Sequence, residues 1–200
     1  MQRVFRYTIF GAIGGFLGWL VVEPINSLTP PNDVSMPYGH ILALGGLIGL
    51  FVGVALGVAE ALSGVSPRDA VKSVVVSIPI GIIGGALGLA VGNAFYAPMH
   101  NIAFGGGQPA APSVFGFVFE LVGRSLGWAF FGLFLGLSQG LAVENAKKLV
   151  NGAVGGLIGG GLGGFAFALL DFINGSRAFA IPVEFMRLIG FTVTAGVIGL

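Results

Sequence analysis

One stretch of the chain, Asn151–Phe165, reads NGAVGGLIGGGLGGF. Gly152, Gly156, Gly160 and Gly164 recur every four residues, and so do Gly155, Gly159 and Gly163. On an α-helix these become two adjacent stripes without side chains. In water such a helix hardly forms, because each interior glycine costs about 1 kcal/mol relative to alanine. In hydrocarbon the balance reverses, since an unpaired backbone group there costs several kcal/mol. The stripes then let neighbouring backbones touch, as in GxxxG helix pairs. A packed membrane helix is the expectation.

The rest of the composition agrees. The chain has 200 residues, 55% hydrophobic and 8% charged, with a mean hydropathy of +0.97. Soluble domains carry about 25% charged residues, and a chain this apolar would expose large greasy patches in water. The formal net charge of +1 points to no nucleic-acid partner, and the absence of cysteine excludes disulfides, thiol nucleophiles and thiolate metal sites. Arg3 and Arg6 precede an apolar run with no small-residue cleavage site behind it. The run reads as a retained helix rather than a signal peptide.

Six apolar segments follow: Val4–Val22, His40–Leu62, Lys72–Tyr96, Arg124–Val143, Leu149–Leu170, and Leu188 to the last residue. A span needs about 20 residues. The last segment is short, which leads to the expectation that the sequence is the front part of a longer chain, with a cytoplasmic domain after Leu200. Arg3, Arg6, Arg68, Lys72, Lys147 and Lys148 fall on one side of a six-span topology, and Arg124, Arg177 and Arg187 on the other. By the positive-inside rule the amino terminus is cytoplasmic, in a cell membrane of the bacterial inner-membrane type.

The segments are of two alternating kinds. GAIGGFLG at Gly11–Gly18 matches GAVGGLIG at Gly152–Gly159, and Gly81, Gly84, Gly85 and Gly88 fall on Gly156, Gly159, Gly160 and Gly163 at an offset of 75. These are the glycine-rich kind. GLFVGVALG at Gly49–Gly57 matches GLFLGLSQG at Gly132–Gly140, and an offset of 63 carries Arg124 to Arg187 and Gly127 to Gly190. These carry a single stripe. The expected fold is all-α: a polytopic membrane bundle of about six helices in three parallel-repeated hairpins, near 1–62, 63–143 and 144–200, forming one transmembrane domain. The helix-packing positions are Gly11, Gly15, Gly81, Gly85, Gly152, Gly156, Gly160 and Gly164 on the first kind. On the second they are Gly49, Gly53, Gly57, Gly132, Gly136 and Gly140. The glycine-rich helices are expected at the centre.

Intramembrane polar residues are the usual functional flag. Gln139, Glu60 and Asn93 are the candidates for a polar path. Each also has a structural reading: an interhelical bond for Gln139, a local cap for Asn93, and for Glu60 a pair with Arg68 or Lys72. His40 and His100 fall on the outer side with Asp33, Glu120 and Asp171, but without the spacing of a local metal motif. Glu120 with Arg124, and Glu184 with Arg187, form helical pairs at i,i+4 and i,i+3. The stretch PSVFGFVFELVGR reads as a helix lying in the outer interface. Pro79 is expected to kink the third span. GGGLGG lacks the strand, Lys and Ser/Thr of a phosphate loop. No hydrolase triad, HExxH motif or paired intramembrane carboxylate is present, so no enzyme and no cofactor are expected.

Gly127–Phe167 carries a GLxxGLxQGL helix with Gln139, a basic turn with Lys147 and Lys148, and then an NGxxGG helix from Asn151. In these features it resembles the glycine-rich multi-span modules of bacterial multidomain membrane proteins, some of them joined to forkhead-associated or von Willebrand A-type domains. The resemblance implies a membrane-embedded part that serves a soluble domain. The functional expectation is a non-enzymatic module for helix packing, anchoring or assembly, in contact with membrane lipid and with a protein partner or further copies of itself. The alternative is a small channel or transporter using Gln139, Glu60 and Asn93.

Overall fold

The computed structural model describes residues 2–26, 37–62, 67–104, 113–142, 144–175 and 182–198. Side chains at 2–4, 26, 67, 69–70, 139, 142, 174–175 and 183 lie outside that description. The described residues form six helices: α1 (Gln2–Asn26), α2 (Tyr38–Ala61), α3 (Pro67–Phe104), α4 (Val114–Ala142), α5 (Ala146–Gly175) and α6 (Val183–Ile198). The first five are long and apolar enough to cross a membrane. At 1.5 Å per residue, the 38 residues of α3 extend about 57 Å, well beyond a hydrocarbon core about 30 Å thick.

Local chemistry sets several helix ends. The Ser113 hydroxyl accepts from the Gly116 amide at 3.0 Å, the bond of a helix N-cap. Asn145 does the same for Lys148 at the start of α5, at 3.1 Å. Between them, the α4–α5 turn places Glu144 at φ 51°. PSVFGFVFELVGR is not a separate interfacial helix: from Val114 it runs unbroken into α4. α3 likewise continues through Pro79 and Pro98.

The helices close into a ring. α1 packs on α2, α2 on α3, α3 on α4, α4 on α5, α5 on α6, and α6 returns to α1. The two glycine stripes of each glycine-rich helix divide between its two neighbours. On α3, a Cβ at Gly81 would fall 2.5 Å from the Gly49 carbonyl oxygen of α2, while one at Gly84 would fall 2.8 Å from the Ser138 Cβ of α4. On α5, a Cβ at Gly152 would fall 2.5 Å from the Gly136 carbonyl oxygen of α4, and one at Gly159 would fall 2.5 Å from the Val197 Cβ of α6. On α1, a Cβ at Gly15 would fall 2.5 Å from the Phe191 carbonyl oxygen of α6, and one at Gly14 would fall 2.8 Å from the Val52 Cα of α2. All these separations are far below an ordinary carbon contact of about 3.5–4.0 Å. Space for one more methyl group is absent.

The expected placement of the helices is reversed. The single-stripe helices α2, α4 and α6 form the centre, where α4 touches both of the others. The glycine-rich helices are the outer wedges. The physical reason is the far face of each wedge. On α5 the face away from the stripes carries Val154, Leu157, Ile158 and Leu162, all exposed, and on α1 it carries Ile9, Ile13 and Leu20. Those side chains have to point to lipid once the glycines are spent on neighbours. The interior belongs instead to Ile48 and Val52 of α2, Phe131 and Leu135 of α4, and Thr194 and Ile198 of α6, all buried. The offset of 63 that relates Arg124 to Arg187 also relates Phe131 to Thr194 and Leu135 to Ile198. The offset of 83 between Gly49 and Gly132 relates Ile48 to Phe131 and Val52 to Leu135. Each central layer therefore takes one residue from each single-stripe helix.

Two outcomes follow from this packing. Gly160→Ala should lower the thermal midpoint in detergent, at a cost of about 1–3 kcal/mol for overpacking, because its Cβ would overlap the Trp128 carbonyl. Gly161→Ala, whose nearest neighbour would be the Ala129 Cβ at 3.8 Å, should be neutral or stabilising. Equal midpoints for the two variants would contradict the close approach. Ring closure is checked at Gly196, where a Cβ would lie 3.5 Å from the Ala12 Cβ, within the disulfide range of about 3.5–4.5 Å. The Ala12→Cys/Gly196→Cys variant should cross-link within one chain on oxidation. Cross-linking only between chains would refute intramolecular closure.

Candidate functional site

Polar residues gather at the two ends of the ring. At one end, α1, α3 and α5 finish while α2, α4 and α6 begin. Here Arg124, on the inward side of α4, donates from Nε to Glu120 Oε1 at 2.5 Å and from Nη2 to Asp171 Oδ2 at 2.7 Å. Tyr96 of α3 donates its hydroxyl to Glu120 Oε1 at 2.8 Å. His100 Nδ1 lies 2.9 Å from Glu120 Oε2. The guanidinium of Arg124 also stacks over Phe167, 4.6 Å from the ring centre. The network ties α3, α4 and α5 together. Glu120 is 5% exposed, and a carboxylate so buried is sustainable only when fully paired.

Across the same end, Arg187 of α6 donates to Glu23 of α1 at 2.8 Å. The sequence pairs Arg187 with Glu184, but Glu184 is exposed. The pair that forms is long-range, because α6 returns beside α1. The pair expected between Glu120 and Arg124 is present, with Asp171 as a second acceptor.

At the opposite end Glu60 finds partners on α1 and α5. It accepts from the Tyr7 hydroxyl and from Lys148 Nζ at 2.6 Å. Lys148 belongs to α5, which lies opposite α2 in the ring, so this pair crosses the bundle. Its ammonium sits 5.8 Å from the Tyr7 ring centre. Arg6 donates to the Leu62 carbonyl, and Lys72 lies 4.0 Å from Glu144 at the exposed rim.

Between the arginines lies a cavity of about 290 Å³. Asn93, Tyr96, Arg124 and Arg187 supply its polar lining, and Trp128, Phe131, Phe167 and Phe191 supply much of the rest. Its floor is the Ile48 and Phe131 layer. The polar-path candidates do not come together. Asn93 lines the cavity, while Glu60 sits at the other end, beyond the buried Val52 and Leu135. The side chain of Gln139 lies outside the described residues. So does Asp33, one of the residues weighed for a metal with the histidines. His100 is bonded to Glu120, and His40 Nε2 on α2 is buried without a partner. Among the described residues no group of three or more His, Asp or Glu is arranged to hold a metal ion. The inter-helix pairs Glu23–Arg187 and Glu60–Lys148 and the cavity carry no local sequence signal. The offset of 63 does place Arg124 and Arg187 at equivalent points of two helices, and this marks one end of the ring as special.

The Glu23–Arg187 pair predicts an asymmetry. Glu23→Ala strands a partly buried guanidinium and should cost about 3–5 kcal/mol, the scale for breaking a buried pair, while Glu184→Ala should stay within about 0.5 kcal/mol as a surface change. Chemical or thermal unfolding of both variants in one detergent checks it, and the reverse ranking would restore the local pair. Comparison of the chain with protein-family models, curated proteins and solved structures finds no match.

Proposed function

We propose that the chain is a non-enzymatic multi-pass membrane module whose work is helix packing, anchoring and assembly within a larger protein or complex. The observation that carries this reading is the ring itself. Backbone-to-backbone seams join α2 to α3, α4 to α5 and α6 to α1, and the centre is filled by layers from three helices that are apolar but for Thr194. Such a bundle holds its shape without a ligand. The apolar faces of α1, α3 and α5 contact lipid and can also receive a protein partner or another copy. The close-packed glycines Gly11, Gly15, Gly81, Gly85, Gly152, Gly156, Gly160 and Gly164, with Gly49, Gly53, Gly57, Gly132, Gly136 and Gly140 opposite, are the packing determinants. The likeness of Gly127–Phe167 to bacterial glycine-rich modules supports the same role, as a membrane part that serves soluble domains. The basic residues gathered with Glu60 and Glu144 at one end support a cytoplasmic amino terminus in a bacterial inner membrane.

A channel or transporter reading draws on one observation, the cavity with Asn93 in its wall. The buried layers beneath it separate that wall from Glu60. Reconstitution in liposomes tests the two readings. The module should leave K⁺ and Cl⁻ permeability within about twofold of protein-free vesicles. Flux well above that level, and lost in Asn93→Leu, would overturn the packing role in favour of a conduit.

A further inference from the structure

Two arginines facing one cavity are costly in a bundle this apolar. Aliphatic residues of similar volume would pack as well without the desolvation penalty, so intramembrane charges of this kind mark functional sites by default. The carboxylates that hold them do not line the cavity. Glu120, Asp171 and Glu23 stand behind or beside the guanidinium groups, while Arg124 and Arg187 themselves form part of the wall. The ion pairs orient the arginines and leave donors over. Arg124 uses Nε and Nη2, and Arg187 uses Nη1. Among the described residues nothing accepts from Arg187 Nε and Nη2. Asn93 adds an amide to the same wall. One turn further along the same two helices the wall is aromatic, with the Trp128 and Phe191 rings 4.9 Å apart between centres.

We propose that this cavity binds an amphiphilic anion, a single carboxylate or phosphate head carried on a small apolar body. The head takes the unspent N–H donors, for which guanidinium geometry is well suited. The body lies against Trp128, Phe131 and Phe191. The carboxylates of Glu120, Asp171 and Glu23 balance the arginines from outside the wall, so a cation entering the cavity would meet the two guanidinium groups first. A neutral apolar molecule would leave the donors dry and unpaired, at about 1–3 kcal/mol each. The volume of about 290 Å³ sits at the small end of ligand pockets, about 300–1,000 Å³, so the occupant is a compact acid or the head of a lipid rather than a whole chain. The site does not depend on the assembly role.

The chain has two tryptophans, so Trp19→Phe leaves Trp128 as the sole reporter. In phosphatidylcholine nanodiscs, benzoate should shift the Trp128 emission saturably, whereas benzyl alcohol and benzylamine should not. Replacing part of the lipid with phosphatidylglycerol separates the sources. Competition with benzoate identifies a lipid head as the occupant, and unchanged benzoate binding identifies a free acid. Glu23→Gln/Arg187→Gln removes one cationic donor without stranding its carboxylate, and should weaken benzoate at least tenfold while the elution volume is kept. If that variant fails to fold, the three-probe charge series on the Trp19→Phe chain still decides. An absent response to both anions, an equal response to benzylamine or benzyl alcohol, or undiminished benzoate binding in the folded double variant would overturn the proposal.

Discussion

Contact between bare backbones is the interaction on which the remaining structure depends. In lipid there is no hydrophobic drive to bring helices together, because the tails are as apolar as leucine. Attraction has to come from close approach, and close approach requires that side chains be absent from the contact. Seams made in this way set Gly49 and Gly45 against Gly81 and Gly85, Gly136 and Gly132 against Gly152 and Gly156, and Gly11 and Gly15 against Ala195 and Phe191, and Gly92 meets Gly127 likewise between α3 and α4. Each seam joins a single-stripe helix to a glycine-rich one. The second stripe of every glycine-rich helix then docks on the next single-stripe helix, with side chains such as Ser138 and Val197 filling the contact. Double-stripe and single-stripe helices therefore alternate around the ring.

This alternation explains why bulk is distributed as it is. A helix with two smooth faces has one rough face left, which becomes the lipid surface. A helix with one smooth face can turn its branched and aromatic residues inward. The central layers of Ile48, Phe131 and Thr194, and of Val52, Leu135 and Ile198, follow directly. So does the cavity above them: where the layer would next take bulky apolar residues from all three helices, two of them supply Arg124 and Arg187 instead, while Ile41 of α2 lines the same space.

Much of the architecture is legible in the sequence because hydropathy and glycine spacing are local properties. Five of the helices coincide with apolar runs, and the two stripes of Asn151–Phe165 are visible residue by residue. The helix ends are less legible. Tyr96–Phe104 turns polar with His100 and Asn101, so hydropathy stops while the helix does not, since backbone bonding persists outside hydrocarbon. The closing contact of α6 with α1 has no local sign, and with it goes the Glu23–Arg187 pair, whose partners are 164 residues apart. A local rule chooses Glu184 instead. The inward position of α2, α4 and α6 is hard to read in the sequence for a related reason. Glycine content tells how closely a helix can approach a neighbour, but the radial position depends on where its large residues can go.

The seam between α1 and α6 also has a meaning in time. The chain is made and inserted from its amino end, at roughly 5–20 residues per second. Gly11 and Gly15 enter the membrane early, and their partners Ala195 and Phe191 arrive only when the last helix does. For roughly ten to forty seconds at that rate, the glycine face of α1 has no α6 of its own chain to meet. The contact that closes the ring is thus the last of the six to become available during synthesis.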